Sequence, residues 1–239
     1  MQQCQSLWAL PHREGIQMEN EIIDLVIFGT GGHAREMHDL VMAVNQQRPI
    51  FNFLGFLDQL TTPLKKDTEL ILGDHTWLRD KPKVRVVIAI GNAVSRLHVR
   101  NLISSVCSNK FQTLIHPTAY IGPSCKIGDG SMISAGAVLT CGVTIGEHVI
   151  VNIRASLSHE ALVEDFVTIA PNATICGAVS IATGADIGAS ATIIQLKKIG
   201  AWSIVGAGTV VIKDVVENVT VVGNPARQIA ERKSGWQNN

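Results

Sequence analysis

From residue 115 onward the aliphatic positions fall into one unbroken frame of six. It runs Ile115, Ile121, Ile127, Ile133 and on without a gap to Val205 and Val211, seventeen residues in all. A period of six is neither the 3.6 of a helix nor the 2 of an ordinary strand. It predicts short strands, each burying one aliphatic side chain before the chain turns a corner. Four residues after each aliphatic stands a small or β-branched residue, such as Ala137, Ala155, Ala173 or Ala191, expected to fit the tight corners. The residue directly after the aliphatic is often glycine (Gly122, Gly128, Gly146, Gly188, Gly200, Gly206), which reads as tolerance for turn backbone. Three hexads per coil stack residues 18 apart. The frame therefore predicts a parallel β-helix of triangular section with nearly six coils. Lys197, in Gln195-Leu196-Lys197, is the one departure at the small position. A buried lysine without a partner is costly, so a local bulge is expected there.

Before residue 115 the pattern changes. Asp24–Phe28 is an apolar run that predicts a strand, and Arg35–Val44 has helical spacing with Met37, Leu40, Val41 and Val44 on one face. Between them lies Gly29-Thr30-Gly31-Gly32-His33-Ala34, in which Gly29, Gly31 and Ala34 match G-x-G-x-x-A. Strand, glycine turn and helix form the first unit of a nucleotide-binding α/β fold, with backbone N–H groups and the helix dipole facing a phosphate. Phe51–Leu57 predicts a second strand ending at Asp58, which either meets the nucleoside of a ligand or caps a turn. Val84–Ile90 predicts a third, ending in Gly91-Asn92, and a helix is expected from Val94 to Cys107. Three or four strands make a half-sized Rossmann-like domain, suited to a mononucleotide or nucleotide sugar rather than NAD. The expected organisation is a disordered tail over 1–20, the Rossmann-like domain over 21–113 and the β-helix over 114–225. A C-terminal cap follows over 226–239, with Ala226–Lys233 as a short amphipathic helix closing the last coil.

Composition narrows the function classes. Twenty basic residues balance twenty acidic ones over 239 residues, so there is no electrostatic footprint for nucleic acid. There is no apolar run of membrane-spanning length. Five cysteines without regular spacing argue against a disulfide framework and for a reducing cytoplasm. Arg13 and Glu14 interrupt any signal-peptide core, and either Met1 or Met18 reads as the start.

Four segments carry a narrower likeness: Gly29-Thr30-Gly31-Gly32-His33, Ala89-Ile90-Gly91-Asn92, Leu114-Ile115-His116-Pro117 and Val221-Val222-Gly223-Asn224-Pro225-Ala226. Together with the hexads they resemble the NeuD/PglD sugar O- and N-acyltransferases, over residues 22–230. The resemblance implies an α/β Rossmann-like domain followed by a left-handed parallel β-helix. It implies acetyl transfer from acetyl-CoA to the amino group of a nucleotide-linked 4-amino-deoxysugar, UDP-linked by first expectation, in glycan or polysaccharide synthesis. It implies a homotrimer with CoA lying between coils of adjacent subunits, and no metal. The segment Val151-Asn152…Ser158-His159-Glu160 is similar to the family's catalytic stretch. That makes His159 the expected general base, with Glu160 beside it and Asn152 near the sugar. A histidine suits the task, because the attacking amine or hydroxyl must lose a proton near neutral pH. Its column neighbours Cys141 and Gly177 are small and leave room beside the imidazole. Glu160, Glu164 or Asp165 could orient the ring, since neighbouring strand residues point opposite ways.

The acceptor contacts expected from this likeness are Gly29, Gly31, Gly32, His33, Asp58, Gly91, Asn92 and Asn152. On the donor side Gly188, Gly206, Ala207 and Gly208 are small enough for a pantetheine arm, and Trp202, Asn224 and Pro225 are expected to border the adenine. Many relatives carry a second histidine nine residues after the catalytic one. Here that position is Thr168, expected to serve the donor as a weaker hydrogen-bond donor. Lys197 or Lys198 either meets a CoA phosphate or is a solvated turn lysine. His33 either caps its helix or meets phosphate or sugar, His116 reads as structural, and His148 as exposed on its coil. Three readings compete with the first. O-acetylation of a sialic-acid-type sugar needs the same base and donor. A non-catalytic nucleotide-sugar-binding protein would not need the His159-Glu160 pair. A zinc-dependent β-helix hydratase needs two histidines five apart, and the spacings of 32 and 11 among His116, His148 and His159 argue strongly against it.

Overall fold

A computed structural model describes residues 22–59, 70–108 and 111–238. The expectations for residues 1–20, Met18 included, lie outside the described residues. The first domain is a four-stranded parallel sheet of β1 (Ile23–Phe28), β2 (Phe51–Leu57), β3 (Ile71–Gly73) and β4 (Arg85–Ile88), in the order β3-β2-β1-β4. Two helices accompany it, α1 (Gly32–Gln47) and α2 (Ala93–Val106). Leu25, Val26, Ile27 and Phe28 of β1 are all buried, as the apolar run requires of a central parallel strand covered on both faces.

Seventeen two-residue strands follow, from β5 (Leu114–Ile115) to β21 (Val210–Val211), and each ends on a residue of the six-residue frame. Every third strand pairs in parallel. Ile115, Ile133, Val151, Ile169, Ile187 and Val205 thus stack in one column 18 residues apart. The result is a three-faced left-handed β-helix. The frame aliphatics and the small residues four positions on share one interior, from Ile133 and Ala137 to Val211 and Val215. Each fully buried Ile or Val contributes about 1.5–3 kcal/mol of transfer free energy, so the ladder is the main source of stability.

The two strand residues of each hexad point opposite ways. On the first face, which begins with β5, the outward column is Leu114, Met132, Ile150, Thr168, Asp186 and Ile204. Its first three members pack against Ala34, Met37, Leu40 and Val41 of α1. The Rossmann-like domain therefore sits on the early coils of this one face and leaves the later coils uncovered.

Three expectations about local structure need correction. The glycines after the aliphatics do not supply turn backbone. The left-handed residue comes two positions later, and nine of these are not glycine, including His148, Glu160, Phe166 and Trp202 with φ between 53 and 62. Their amides bond back to the preceding coil, as in Glu160 N to Cys141 O at 3.0 Å, and this ladder offsets a backbone cost of about 1–2 kcal/mol each. The glycines instead admit the next coil: a Cβ at Gly188 would lie 2.5 Å from Ala207 N. Lys197 makes no bulge, since its carbonyl accepts from Ser180 N at 2.9 Å and the pairing Ile181–Ile199 stays in register. Its side chain is half-buried rather than enclosed, so no charge is trapped.

The C-terminal cap is not a helix. Residues 227–231 form β23 (Arg227–Glu231), antiparallel to β22 (Val219–Val222), which closes the first face's sheet. The exposed edge of β22 offers unpaired backbone groups, and strand pairing satisfies them where a helix would not. Beside this hairpin a pocket of about 300 Å³ opens between Lys213–Val216 and Ala226–Gln228.

Candidate active site

The first domain gathers its candidate residues at the carboxyl ends of its parallel strands. Gly29 directly follows β1 with φ 120 and approaches Ala89 O so closely that a Cβ would sit 2.9 Å away. Gly31 precedes α1 and Gly32 begins it, and a Cβ on either would meet nothing within 4 Å. The amino end of α1 is thus open to a ligand. Thr30 Oγ1 donates to the Asp58 carboxylate, tying the glycine turn to the end of β2. Gly91 and Asn92 are exposed after β4, and Asn92 Oδ1 accepts from Ser95 N at 2.9 Å to cap α2. His33 does not cap α1. Its Nδ1 lies 3.2 Å from Glu36, its Nε2 is buried without a partner, and burial lowers its pKa against the pull of Glu36.

The β-helix distributes its candidates over three different edges. Asn152, Gly188 and Gly206 stack on the edge between the first and second faces, with Ala207 beside Gly206. Asn224 and the half-buried Pro225, joined by a cis peptide bond, lie in the turn that follows this edge's last coil, where Gly223 O accepts from Val210 N. Asn152 Oδ1 accepts from Ile153 N at 2.7 Å. Trp202 sits on a different edge, between the third and first faces. Its ring lies over Gly184 and 6.4 Å from Trp236, and its carbonyl accepts from Arg232. The structure does not bring Trp202 together with the small-residue edge.

His159 and Glu160 project from the remaining edge, between the second and third faces. The imidazole lies directly over Gly177, where a Cβ would collide with Cε1 and Nε2. The left-handed backbone of Glu160 turns its side chain toward the histidine, and Oε2 lies 3.8 Å from Nδ1. That is an ion-pair distance rather than a hydrogen bond. Both side chains are more than half exposed, at 62% and 75%, so within one chain the pair is weak and the ring is free to meet a substrate. Glu164 and Asp165 are engaged elsewhere. Glu164 accepts from Thr183 N and Oγ1, and Asp165 accepts from Glu147 N.

Two histidines and a threonine depart from expectation or extend it. His148 is fully buried, not exposed, between Phe111 at 4.5 Å and Phe166 at 5.2 Å. Burial, with help from Arg96 and Arg100, pulls its pKa down to about 3. His116 Nδ1 accepts from Thr118 N in a local turn. Thr168 is not on the His159 edge. It lies on the first face in β14 (Thr168–Ile169), where Oγ1 donates to Gly91 O at 3.2 Å and accepts from Arg96. Two residues went unnoticed in the sequence, Arg96 and Asp186. Arg96 carried a signal, a charge at the 96, 99, 103 spacing of the apolar face of α2. Asp186, next to Thr168 in the outward column, has its carboxyl pKa raised by partial desolvation against the opposing pull of Arg96 and Arg232.

Residues 24–103 match the PglD N-terminal domain, and residues 111–141 match the bacterial transferase hexapeptide of six repeats. The GDP-perosamine N-acetyltransferase of Escherichia coli O157:H7 is 31% identical over 85% of this chain and 95% of its own length. The chain belongs to the PglD-like sugar acyltransferase family. The acetyltransferase domain of PglB from Neisseria gonorrhoeae FA1090, solved with acetyl coenzyme A, superposes with a TM-score of 0.79 at 30% identity. It covers 87% of this chain and 100% of that one. A mutant perosamine N-acetyltransferase from Caulobacter crescentus, solved with CoA and GDP-perosamine, gives 0.78 at 27% identity over 87% and 97%. The chain also matches serine acetyltransferase 4 of Arabidopsis thaliana at 37% identity, over 53% of its own length but only 32% of that protein. Among the described residues no helix is long and apolar enough to cross a membrane, and no three metal-ligating side chains cluster.

Proposed function

We propose that this PglD-like protein transfers acetyl from acetyl-CoA to the amino group of a nucleotide-linked amino sugar, with His159 as general base. The observation that carries the reading is the exposed His159 imidazole, floored by Gly177 and approached by Glu160. When the sugar amine attacks the thioester carbonyl, His159 takes its proton, and Glu160 stabilises the imidazolium that results. The tetrahedral intermediate then collapses with loss of the C–S bond, and the imidazolium returns the proton to the sulfur so that CoA leaves as the free thiol. The open amino end of α1 at Gly31 and Gly32 suits the diphosphate, and Asp58 and the Gly91-Asn92 turn flank it. The small residues of the Gly188–Gly206–Ala207 edge suit a pantetheine arm pairing with backbone.

One chain does not close this site alone. His159 stands on the edge opposite the first face, whereas the nucleotide-binding strand ends overlie that face. A second copy that brings its His159 edge to the first face joins base and acceptor, which is why a homotrimer fits the reading. The test is acetyl transfer from acetyl-CoA to UDP-, dTDP- and GDP-linked amino sugars. Uracil is the family expectation, and the two relatives named for GDP-perosamine make guanine an equal arm. The reading predicts turnover with at least one, abolished by His159→Ala. No turnover with any of the three overturns it.

A further inference from the structure

Arg96 has no exposed surface, yet it points its guanidinium at six oxygens drawn from both domains. Nη1 donates to Ile90 O at 2.7 Å and Gly91 O at 2.9 Å, at the end of the β4 segment. Nε donates to His148 O at 2.8 Å. Nη2 donates to Phe166 O at 2.6 Å and Thr168 Oγ1 at 3.1 Å, with Val167 O at 3.4 Å. His148 and Phe166 are left-handed corner residues of successive coils. One planar side chain therefore spans a strand end of the first domain and two rungs of the β-helix. A lysine ammonium, a single point with three donors, cannot span that set.

The bonds converge on one backbone atom. Gly91 O accepts from Arg96 Nη1 and from Thr168 Oγ1, and Thr168 in turn accepts from Arg96 Nη2. The Gly91-Asn92 turn is thus held from its buried side while its other side stays exposed. A buried charge is a poor way to gain stability, since apolar packing of the same volume does as well or better. None of the hydrogen bonds made by Arg96 goes to a carboxylate. Its geometric effect is to fix where an exposed turn stands relative to the coils.

We propose that Arg96, through Thr168, is a positioning residue that sets the Gly91-Asn92 turn against the β-helix so that the bound acceptor is held at a fixed place on the first face. The inference rests on the reading of that turn as an acceptor contact. Loss of this placement weakens acceptor binding and leaves the donor edge, formed by Gly188, Gly206 and Ala207, undisturbed.

The test uses full-length Arg96→Lys and Thr168→Val, with steady-state kinetics against both substrates and amide hydrogen exchange as a readout independent of turnover. Arg96→Lys is expected to raise KM for the nucleotide amino sugar about tenfold, the scale of one lost charge-assisted bond. KM for acetyl-CoA is expected to stay within about twofold, and exchange is expected to accelerate at residues 91–92 before the coils. Thr168→Val removes the bond to Gly91 O and one acceptor of Arg96 Nη2, which keeps Phe166 O, so the guanidinium stays held and an effect of about threefold in the same direction is expected. Equal rises in both KM values alongside a lower melting temperature would show a merely structural role and overturn the proposal. So would a Thr168→Val effect confined to acetyl-CoA, which would return Thr168 to the donor. If the wild-type protein turns over no nucleotide amino sugar, the proposed function fails, and exchange alone decides the clasp. Faster exchange at residues 91–92 in Arg96→Lys supports it, and unchanged exchange refutes it.

Discussion

The buried His148 makes a sharp prediction about acid. Its ring lies between Phe111 and Phe166, both ring nitrogens are without partners, and its pKa in the fold is about 3. An unfolded chain restores it to about 6.5. Below that value the unfolded state binds a proton that the folded state refuses, so stability falls as pH falls from 6.5 towards 3. At pH 5 the unfolded histidine is almost wholly protonated and the folded one is not, a loss of about 2 kcal/mol relative to pH 7.5. His148→Phe removes the titration and fills the same aromatic slot. Phe166 already occupies the corresponding left-handed position, at φ 60, on the next coil. Replacing an unpartnered polar ring by an apolar one is near neutral or stabilising at pH 7.5. Urea unfolding at fixed protein concentration, at pH 7.5 and pH 5, reads the difference. The wild type should lose about 2 kcal/mol more than His148→Phe across that interval. His33, also shifted down by burial, leaves the variant a smaller slope of the same sign. Equal losses in the two proteins would mean that the folded ring already accepts a proton, and the reasoning from burial would be wrong.

Other substitutions separate chemistry from architecture. His159→Ala should lower kcat at least 100-fold, with the melting temperature little changed because the ring is mostly exposed. Gly188→Ala should cost more than about 2 kcal/mol, or prevent folding as read by circular dichroism, because the new methyl meets Ala207 N and Gly206 C of the next coil. Gly32→Ala meets no atom within 4 Å, so it should fold normally while losing the thermal shift that a nucleotide sugar gives the wild type. Lys197→Ala should change unfolding free energy by less than about 0.5 kcal/mol, since its side chain is neither enclosed nor needed for register.

The frame of six was legible because burial of one aliphatic per strand is dictated locally, and it led straight to β5–β21. The left-handed corner was not, because hydrogen bonding to the previous coil selects it and the side chains there are as different as His148, Arg154 and Trp202. The cap over 227–231 was misread for a similar reason. Its spacing suits a helix, but the open edge of β22 supplies a partner that spacing cannot reveal. β3 went unseen because three residues carry too little pattern to stand without β2 beside them. In the site, the glycine turn came from its motif, and the His159 pair from the resemblance to the family's catalytic stretch. The burial of His148 and the hydrogen bond from Thr168 to Gly91 O depend on one domain lying against the other, a contact between positions more than 50 residues apart.

The 18-residue column has a consequence for how this chain can change in length. An extra hexad between Thr168 and Gly188 would still make a good β-helix, with its aliphatics inside. It would also advance every later residue by one face, moving Gly188 and Gly206 off the edge they share with Asn152 and onto the edge that carries His159. An extra coil of 18 would leave every column where it stands. Between the clasp at Arg96 and the last coil, workable insertions are therefore quantised. The unit of growth that the fold accepts is six, and the unit that keeps every residue on its own edge is three times that.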